Sequence, residues 1–292
     1  MPVSTRSALP GFGLSLGFAL TYLSLLVLLP LAACFAKAAS LSPAQFLDAV
    51  WTDRARAAYG LTFGAALASA LINVGLGLLV AWVLARYEFP LKRLFDALVD
   101  LPFALPTAVA GLVYSNLYAD GGWLGQYLVR LGIHGAYSRL AIVLVLVFTG
   151  FPFVVRTVQP VLQDLDADVE EAAATLGATR GQIFVRVLLP TLVPALLTGF
   201  ALSFARALGE YGSVVFVSGN MPFKTEIAPM LIVARLEEFA YAEATAIAVV
   251  LLVASLAMLL AINLLERYSD RLTALLLTIV SWRPTRGQAH AG

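Results

Sequence analysis

Charged residues interrupt this chain rarely, and the intervals between them set its architecture. Uncharged runs lie between Arg6 and Lys37 and over 57–85, 101–119, 140–155, 187–205 and 244–265. Each approaches or exceeds the roughly 20 apolar residues that a helix needs to cross about 30 Å of hydrocarbon. The third run contains Pro102 and Pro106, which should kink its helix and free backbone carbonyls. Residues 211–235 read differently. Two apolar patches, 214–217 and 230–233, flank Gly219, Asn220, Pro222, Lys224, Glu226 and Pro229. Lipid does not tolerate such a middle, so this stretch is expected to be re-entrant or to lie at the outer face, buried in protein or lining a wet cavity.

Composition narrows the class. Of 292 residues, 60% are hydrophobic and only 13% charged, against about 25% charged in a soluble domain. This excludes a disordered chain, a disulfide-rich secreted domain and an ordinary soluble enzyme. The expected fold class is an all-α integral membrane protein with about six transmembrane helices. A net charge of +1 offers no basic excess for nucleic acid. One cysteine excludes an internal disulfide, and two distant histidines, His134 and His290, read as solvated rather than as metal ligands. No metal site is expected.

Loop charge sets the orientation, because the cytoplasmic side carries the excess of Lys and Arg. With six spans and both termini cytoplasmic, the inside residues are Arg6, Arg86, Lys92, Arg93, Arg156, Arg180, Arg186, Arg267, Arg271, Arg283 and Arg286. These are 11 of the 19 basic residues. A seventh span at 211–235 would leave 8 inside, so six is the better fit. The organisation is then an N-terminal helix and outer loop (1–56), a transmembrane domain (57–265) and a cytoplasmic tail (266–292). The tail segment Thr273 to Trp282 reads as an interfacial helix. Leu31-Ala-Ala-Cys34 has the form of a lipoprotein cleavage box. Its apolar run is longer than a signal core and more spans follow, so Cys34 is read as part of the first span. Glycine pairs at Gly13 and Gly17, Gly60 and Gly64, and Gly75 and Gly77 suggest close helix approach. Asp96 and Asp100, flanking the third run, read as membrane-edge or capping residues.

Residues 159–190 are the most informative. Asp168 stands three residues before Glu171, a capping-box spacing, so a short helix is expected from Val169 to about Leu176, with Gly177 as its left-handed stop. Thr179 and Gln182 repeat the spacing and should start a second short helix running toward Pro190, with Ile183, Phe184, Val187 and Leu188 on its apolar face. The first helix is acidic and Ala-rich. It lacks the basic face of a membrane-surface helix and offers a small, smooth surface to another protein.

These residues resemble a known family. Glu171-Ala172-Ala173, three residues, Gly177, nine residues, Val187-x-Leu-Pro190 is similar to the EAA loop of ABC-importer permeases. Val187 for Ile is the one departure. The resemblance spans about 57–265 and implies the type I transmembrane domain, with this loop as the coupling element that docks in an ATP-binding subunit. Asp168, Glu170, Glu171, Ala172, Ala173, Gly177, Gln182 and Pro190 are its implied coupling residues. The chain has no Gly-x-x-x-x-Gly-Lys-Ser/Thr loop to cradle phosphates. It is therefore not expected to be an enzyme or to hold a cofactor, and ATP and Mg would be bound by the partner ATPase.

Arg206 and Glu210, four apart, share a helix face and can pair. Arg206 is 16 residues past Pro190, about 24 Å along a helix. It reads either as an interfacial anchor or as a pathway residue that attracts an anion. Arg206-Ala-Leu-Gly-Glu-Tyr-Gly212 resembles a signature of molybdate and sulfate permeases. Pro102 and Pro106 match their third span, and residues 209–229 resemble the T-type permeases of sulfate/thiosulfate importers. That resemblance implies a bacterial inner-membrane permease working by alternating access. Its implied partners are a second, W-type permease, an ATP-binding subunit and a periplasmic sulfate- or thiosulfate-binding protein. Arg206, Glu210, Pro102 and Pro106 become candidates for the path or gate. The alternatives are molybdate or tungstate as cargo, or an ion-coupled secondary transporter. The latter should carry ionisable residues at mid-membrane, and spans one, two and four have none.

Overall fold

The structure is a computed structural model that describes residues 11–281, with side chains through Leu265 except that of Ala167. Every element among the described residues is helical. Helix α1 (Phe12–Ala38) is followed by the short α2 (Pro43–Val50), which Ser42 and Gln45 close with a reciprocal capping box. Helix α3 (Asp53–Arg86) starts at Thr52, whose hydroxyl accepts from the Ala55 N–H. Then come α4 (Lys92–Val99), α5 (Leu101–Ala104), α6 (Thr107–Tyr118), α7 (Gly125–Arg130) and α8 (Arg139–Asp164). Helix α9 (Ala167–Thr175) precedes α10 (Arg180–Leu208), followed by α11 (Val214–Val217), α12 (Ala228–Glu237) and α13 (Tyr241–Ser281).

Among the described residues, five helices are long and apolar enough to cross a membrane: α1, α3, α8, α10 and the 241–265 part of α13. The expected third span is not among them. Its backbone is extended at Leu105 and Pro106, which splits it into α5 and α6. The cause is local. Pro106 has no N–H to give a continuing helix, and it disfavours helical geometry in the residue before it.

Two other prolines are absorbed without a break. Pro30 follows a wide turn at Ser24–Leu28, and Pro190 follows one at Phe184–Leu188. In each the next amide reaches back five residues, from Leu29 to the Ser24 carbonyl and from Leu189 to the Phe184 carbonyl. Widening the turn makes room for a proline ring that would otherwise strike the carbonyl four residues back. The second short helix therefore does not end at Pro190, as expected, but runs on as the fifth span, which begins at Arg180 rather than near Val187.

The core is where α3, α8 and α10 meet. A Cβ at Gly77 would lie 2.6 Å from Val154 Cγ1, and one at Gly199 would lie 2.9 Å from Val154 Cα. Val154 is thus wedged between two glycines, one on each neighbouring helix. Deeper along the bundle, Asn73 Nδ2 donates to Ser203 Oγ at 3.0 Å, and a Cβ on Gly150 would strike both. Close approach falls on these glycines. At Gly13, Gly17, Gly60, Gly64 and Gly75 a Cβ would meet nothing within 4 Å, so the expected close packing fails at the first two pairs and holds for Gly77 alone in the third.

The bundle has two ends. One carries Arg86, α9 and the start of α10. The other carries Asp53, Arg139 and residues 211–237. There α11 and α12 do not cross but fold back into protein, with Val214, Val217, Ala228 and Leu231 buried. Arg54 grips Glu226 with two hydrogen bonds of 2.8 and 2.7 Å, and Arg139 donates to the Phe223 and Lys224 carbonyls. The Thr62 hydroxyl accepts from the Ala228 N–H at 2.8 Å. This matches the re-entrant expectation for 211–235. Cys34 lies within α1, and His134 is exposed beside Asp120. Helix α13 continues unbroken to Ser281. Arg6, Trp282, Arg283, Arg286 and His290 lie outside the described residues, as do the side chains of Arg267 and Arg271.

Candidate functional site

At one end of the bundle, α9 stands clear of the core. Asp166, not Asp168, occupies its N-cap position, and no side chain caps it. Asp168 and Glu170 lie in the first turn, where their charge suits the positive end of the helix dipole. The expected Asp168–Glu171 capping box is therefore absent, because the helix begins at Ala167, two residues earlier than expected. Its other end is as expected. Gly177 has φ +85°, the Ala178 N–H reaches the Ala173 carbonyl at 3.1 Å, and the Gly177 N–H reaches that of Ala174 at 2.9 Å. That is the Schellman stop, which glycine accommodates without a Cβ penalty. Two residues after Gly177, Thr179 opens the expected capping box with Gln182. Two rigid caps thus bracket a single bend at Ala178.

The two faces of α9 differ. Glu170 turns inward, with its carboxylate 2.6 Å from the Arg86 guanidinium at the end of α3. Arg86 lies over the Trp82 ring, and Trp82 meets Phe184 edge-on. A continuous chain of contacts therefore runs Glu170–Arg86–Trp82–Phe184, from α9 through α3 to the root of α10. Asp168, Val169, Glu171, Ala172 and Leu176 face outward; Leu176 is 89% exposed. Ala173 is half-buried, and Ile183 and Leu188 are buried on the expected apolar face with Phe184 and Val187. Pro190 is exposed just beyond the wide turn.

A second polar group at this end goes beyond the sequence-based expectations. Arg156, on α8, spends all five of its N–H donors. Nε and Nη2 hold the two Asp100 oxygens at 2.8 and 2.7 Å. Nη1 donates to Asp96 Oδ1 at 2.7 Å and Gln159 Oε1 at 2.9 Å, and Nη2 also donates to the Asp96 carbonyl at 2.7 Å. These bonds hold the Asp96 carboxyl below its ordinary pKa, the bond from Arg156 contributing most. Asp96 and Asp100 are thus ligands of a clamp; both stay partly exposed at the membrane edge, as expected, but Asp100 makes no side-chain cap. The available signal is their i,i+4 spacing on one helix face together with a lone arginine at the end of an uncharged run.

One turn beyond Ser203, toward the opposite end, the expected Arg206–Glu210 pair forms, at 2.5 Å. Glu210 is 2% exposed, and its second oxygen accepts from the Ser213 N–H at 2.9 Å and the Ser213 hydroxyl at 2.8 Å. A carboxylate so enclosed needs these partners. This turn packs on α6: a Cβ on Gly212 would strike the Thr107 hydroxyl, and one on Gly111 the Ser213 carbonyl. The turn after Glu210 therefore lies beside Thr107, the residue that follows the break at Pro106. Pro102 sits apart from them in α5.

Residues 73–274 match the family described as "Binding-protein-dependent transport system inner membrane component". The chain is 51% identical over 266 residues to the sulfate transport system permease protein CysT of Salmonella typhimurium, covering 91% of this chain and 96% of that one. It is 50% identical over 264 residues to CysT of Escherichia coli, covering 90% and 95%. The fold resembles a bacterial ABC transporter involved in import of the polysaccharide alginate, with TM-score 0.70, 18% identity and coverage of 86% and 92%. The same TM-score is found for the alginate ABC transporter in complex with an alginate pentasaccharide-bound periplasmic protein, at 19% identity over 89% and 93%. The chain belongs to the binding-protein-dependent transport system inner membrane components: it is a multi-pass inner-membrane permease of the ABC-importer type, and not itself an enzyme.

Proposed function

We propose that this chain is the pore-forming permease of an ATP-driven sulfate importer, also open to thiosulfate. The observation that carries the coupling half of this reading is the outward face of α9. It is small, acidic and partly apolar, and it is braced from behind by Arg86. Relatives half identical over nine-tenths of the chain are sulfate permeases, which supports the cargo.

In this reading the α9 end is cytoplasmic. A separate ATPase, which binds ATP and Mg, seats Glu171, Ala172, Leu176 and Gly177. Its closure pushes α9, and Glu170 passes the push to Arg86 and α3. A W-type permease completes the pore. A periplasmic sulfate- or thiosulfate-binding protein delivers the dianion at the Arg54–Glu226 end. Arg206 is neutralised by Glu210, so it suits a gate beside Pro106 better than a tight anion site. The domain limits expected from sequence, 57–265 for the transmembrane unit with a preceding helix and a following tail, fit this role.

The test is uptake of labelled sulfate into vesicles holding all the components. ATP-dependent uptake that requires the binding protein is expected. Uptake independent of ATP would overturn the coupling.

A further inference from the structure

The Arg156 clamp lies apart from both groups just used, and its position gives it a task. Arg156 stands eight residues before Asp164, the end of α8, or about 12 Å along the helix, and α9 begins at Ala167. On the other side Asp100 directly precedes Leu101, the first residue of α5. The clamp therefore ties the helix leading into the coupling loop to the broken segment α5–α6, 56 residues away in sequence.

We propose that Arg156 is a positioning residue for transport: it conveys displacement of the α9 loop to the broken helix through Asp96 and Asp100. The inference rests on the importer reading above. Three observations support it. All five guanidinium donors are engaged by four acceptor groups, so the geometry is specified rather than incidental. The N-terminal half of α4 is otherwise separated from α8 by an open cavity of about 540 Å³, lined by Glu88, Phe89, Lys92, Asp96, Gln159 and Gln163. At the C-terminal end of α4 the clamp is the polar link to α8, beside Val99, which is buried with Val154, Val155 and Leu162, and Phe103, which meets Phe153 edge-on. Finally, α6 carries Thr107 and Gly111 against Gly212 and Ser213, and Ser213 holds Glu210, so motion passed to α5–α6 reaches the Glu210 turn.

The test is the number of sulfate ions moved per ATP hydrolysed by the assembled importer in vesicles, with binding protein present. Arg156→Gln is expected to lower this ratio at least fivefold. Arg156→Lys keeps the charge without the fork and should lower it at least twofold. Asp96→Asn, the mildest change, serves where Arg156→Gln does not assemble, and should lower it measurably. A merely structural role would reduce assembly and uptake together and leave the ratio constant, and that result would overturn the proposal. So would an unchanged ratio in well-assembled variants. An unmodified importer that moves no sulfate would overturn the importer reading and this inference with it; normal unmodified uptake with unchanged variant ratios overturns the inference alone.

Discussion

Gly177 is the residue on which the proposed coupling geometry depends most sharply. Its φ of +85° is open to glycine and strained for any residue with a Cβ. Gly177→Ala should weaken the bend by about 1 kcal/mol, and Gly177→Pro should abolish it, since proline is fixed near −65°. The proline variant should insert into the membrane normally yet lose transport-coupled ATP hydrolysis; normal stimulation would show that the loop is not the coupler. Glu210 gives a prediction of another kind. Glu210→Gln leaves Arg206 without its counter-charge and should cost about 1–2 kcal/mol, read as a lower thermal midpoint in detergent. Asp96 carries a pH signature. Its folded-state pKa is lowered, so its contribution is complete above the ordinary carboxylate value near 3.9 and is lost as pH falls through the lower folded value. Stability below about pH 4 should therefore fall less steeply in Asp96→Asn than in the unmodified chain.

At the scale of elements, the three-helix junction around Val154 should be the least tolerant of added volume. Gly77→Leu is expected to cost about 1–3 kcal/mol by overpacking, whereas the same change at Gly64 meets open space and should be nearly neutral. Comparing the assembled yields of the two variants checks this. The contrast also marks what is legible in the sequence. The long apolar helices, the Gly177 stop, the Thr179–Gln182 box and the folded-back 211–235 segment follow from rules that act within a few residues, and each can be read locally. Which glycine is packed depends on which helix faces it, and Gly60, Gly64 and Gly77 look alike in one dimension. The start of α9 is ambiguous in sequence because two acidic residues, Asp166 and Asp168, both suit a cap. The wide turn before Pro190 keeps α10 continuous where the proline suggests a boundary. The clamp joins residues 56 and 60 apart, beyond any local signal except the spacing of Asp96 and Asp100.

For the whole molecule, the scarcity of charge takes on a meaning. The few ionic groups stand mostly toward the two ends: Glu170–Arg86 and the Arg156 clamp toward one, Arg54–Glu226 at the other, with Arg206–Glu210 about one turn beyond Ser203 in that direction. Between them lies an apolar bundle joined by glycines and one Asn73–Ser203 bond. Such a body suits transmission of movement between ends, with energy and selectivity supplied, in the proposed reading, by other subunits. In the proposed reading its outward α9 face is the point of entry for that energy, so Leu176→Asp should reduce co-purification of the ATPase while leaving the isolated permease as stable as before. The most direct test of the account is sulfate uptake by vesicles carrying the complete importer, measured with and without ATP inside the compartment that the ATPase faces. The account predicts uptake only with ATP and binding protein together, and its loss in Gly177→Pro. Sulfate uptake that proceeds equally without ATP would contradict it.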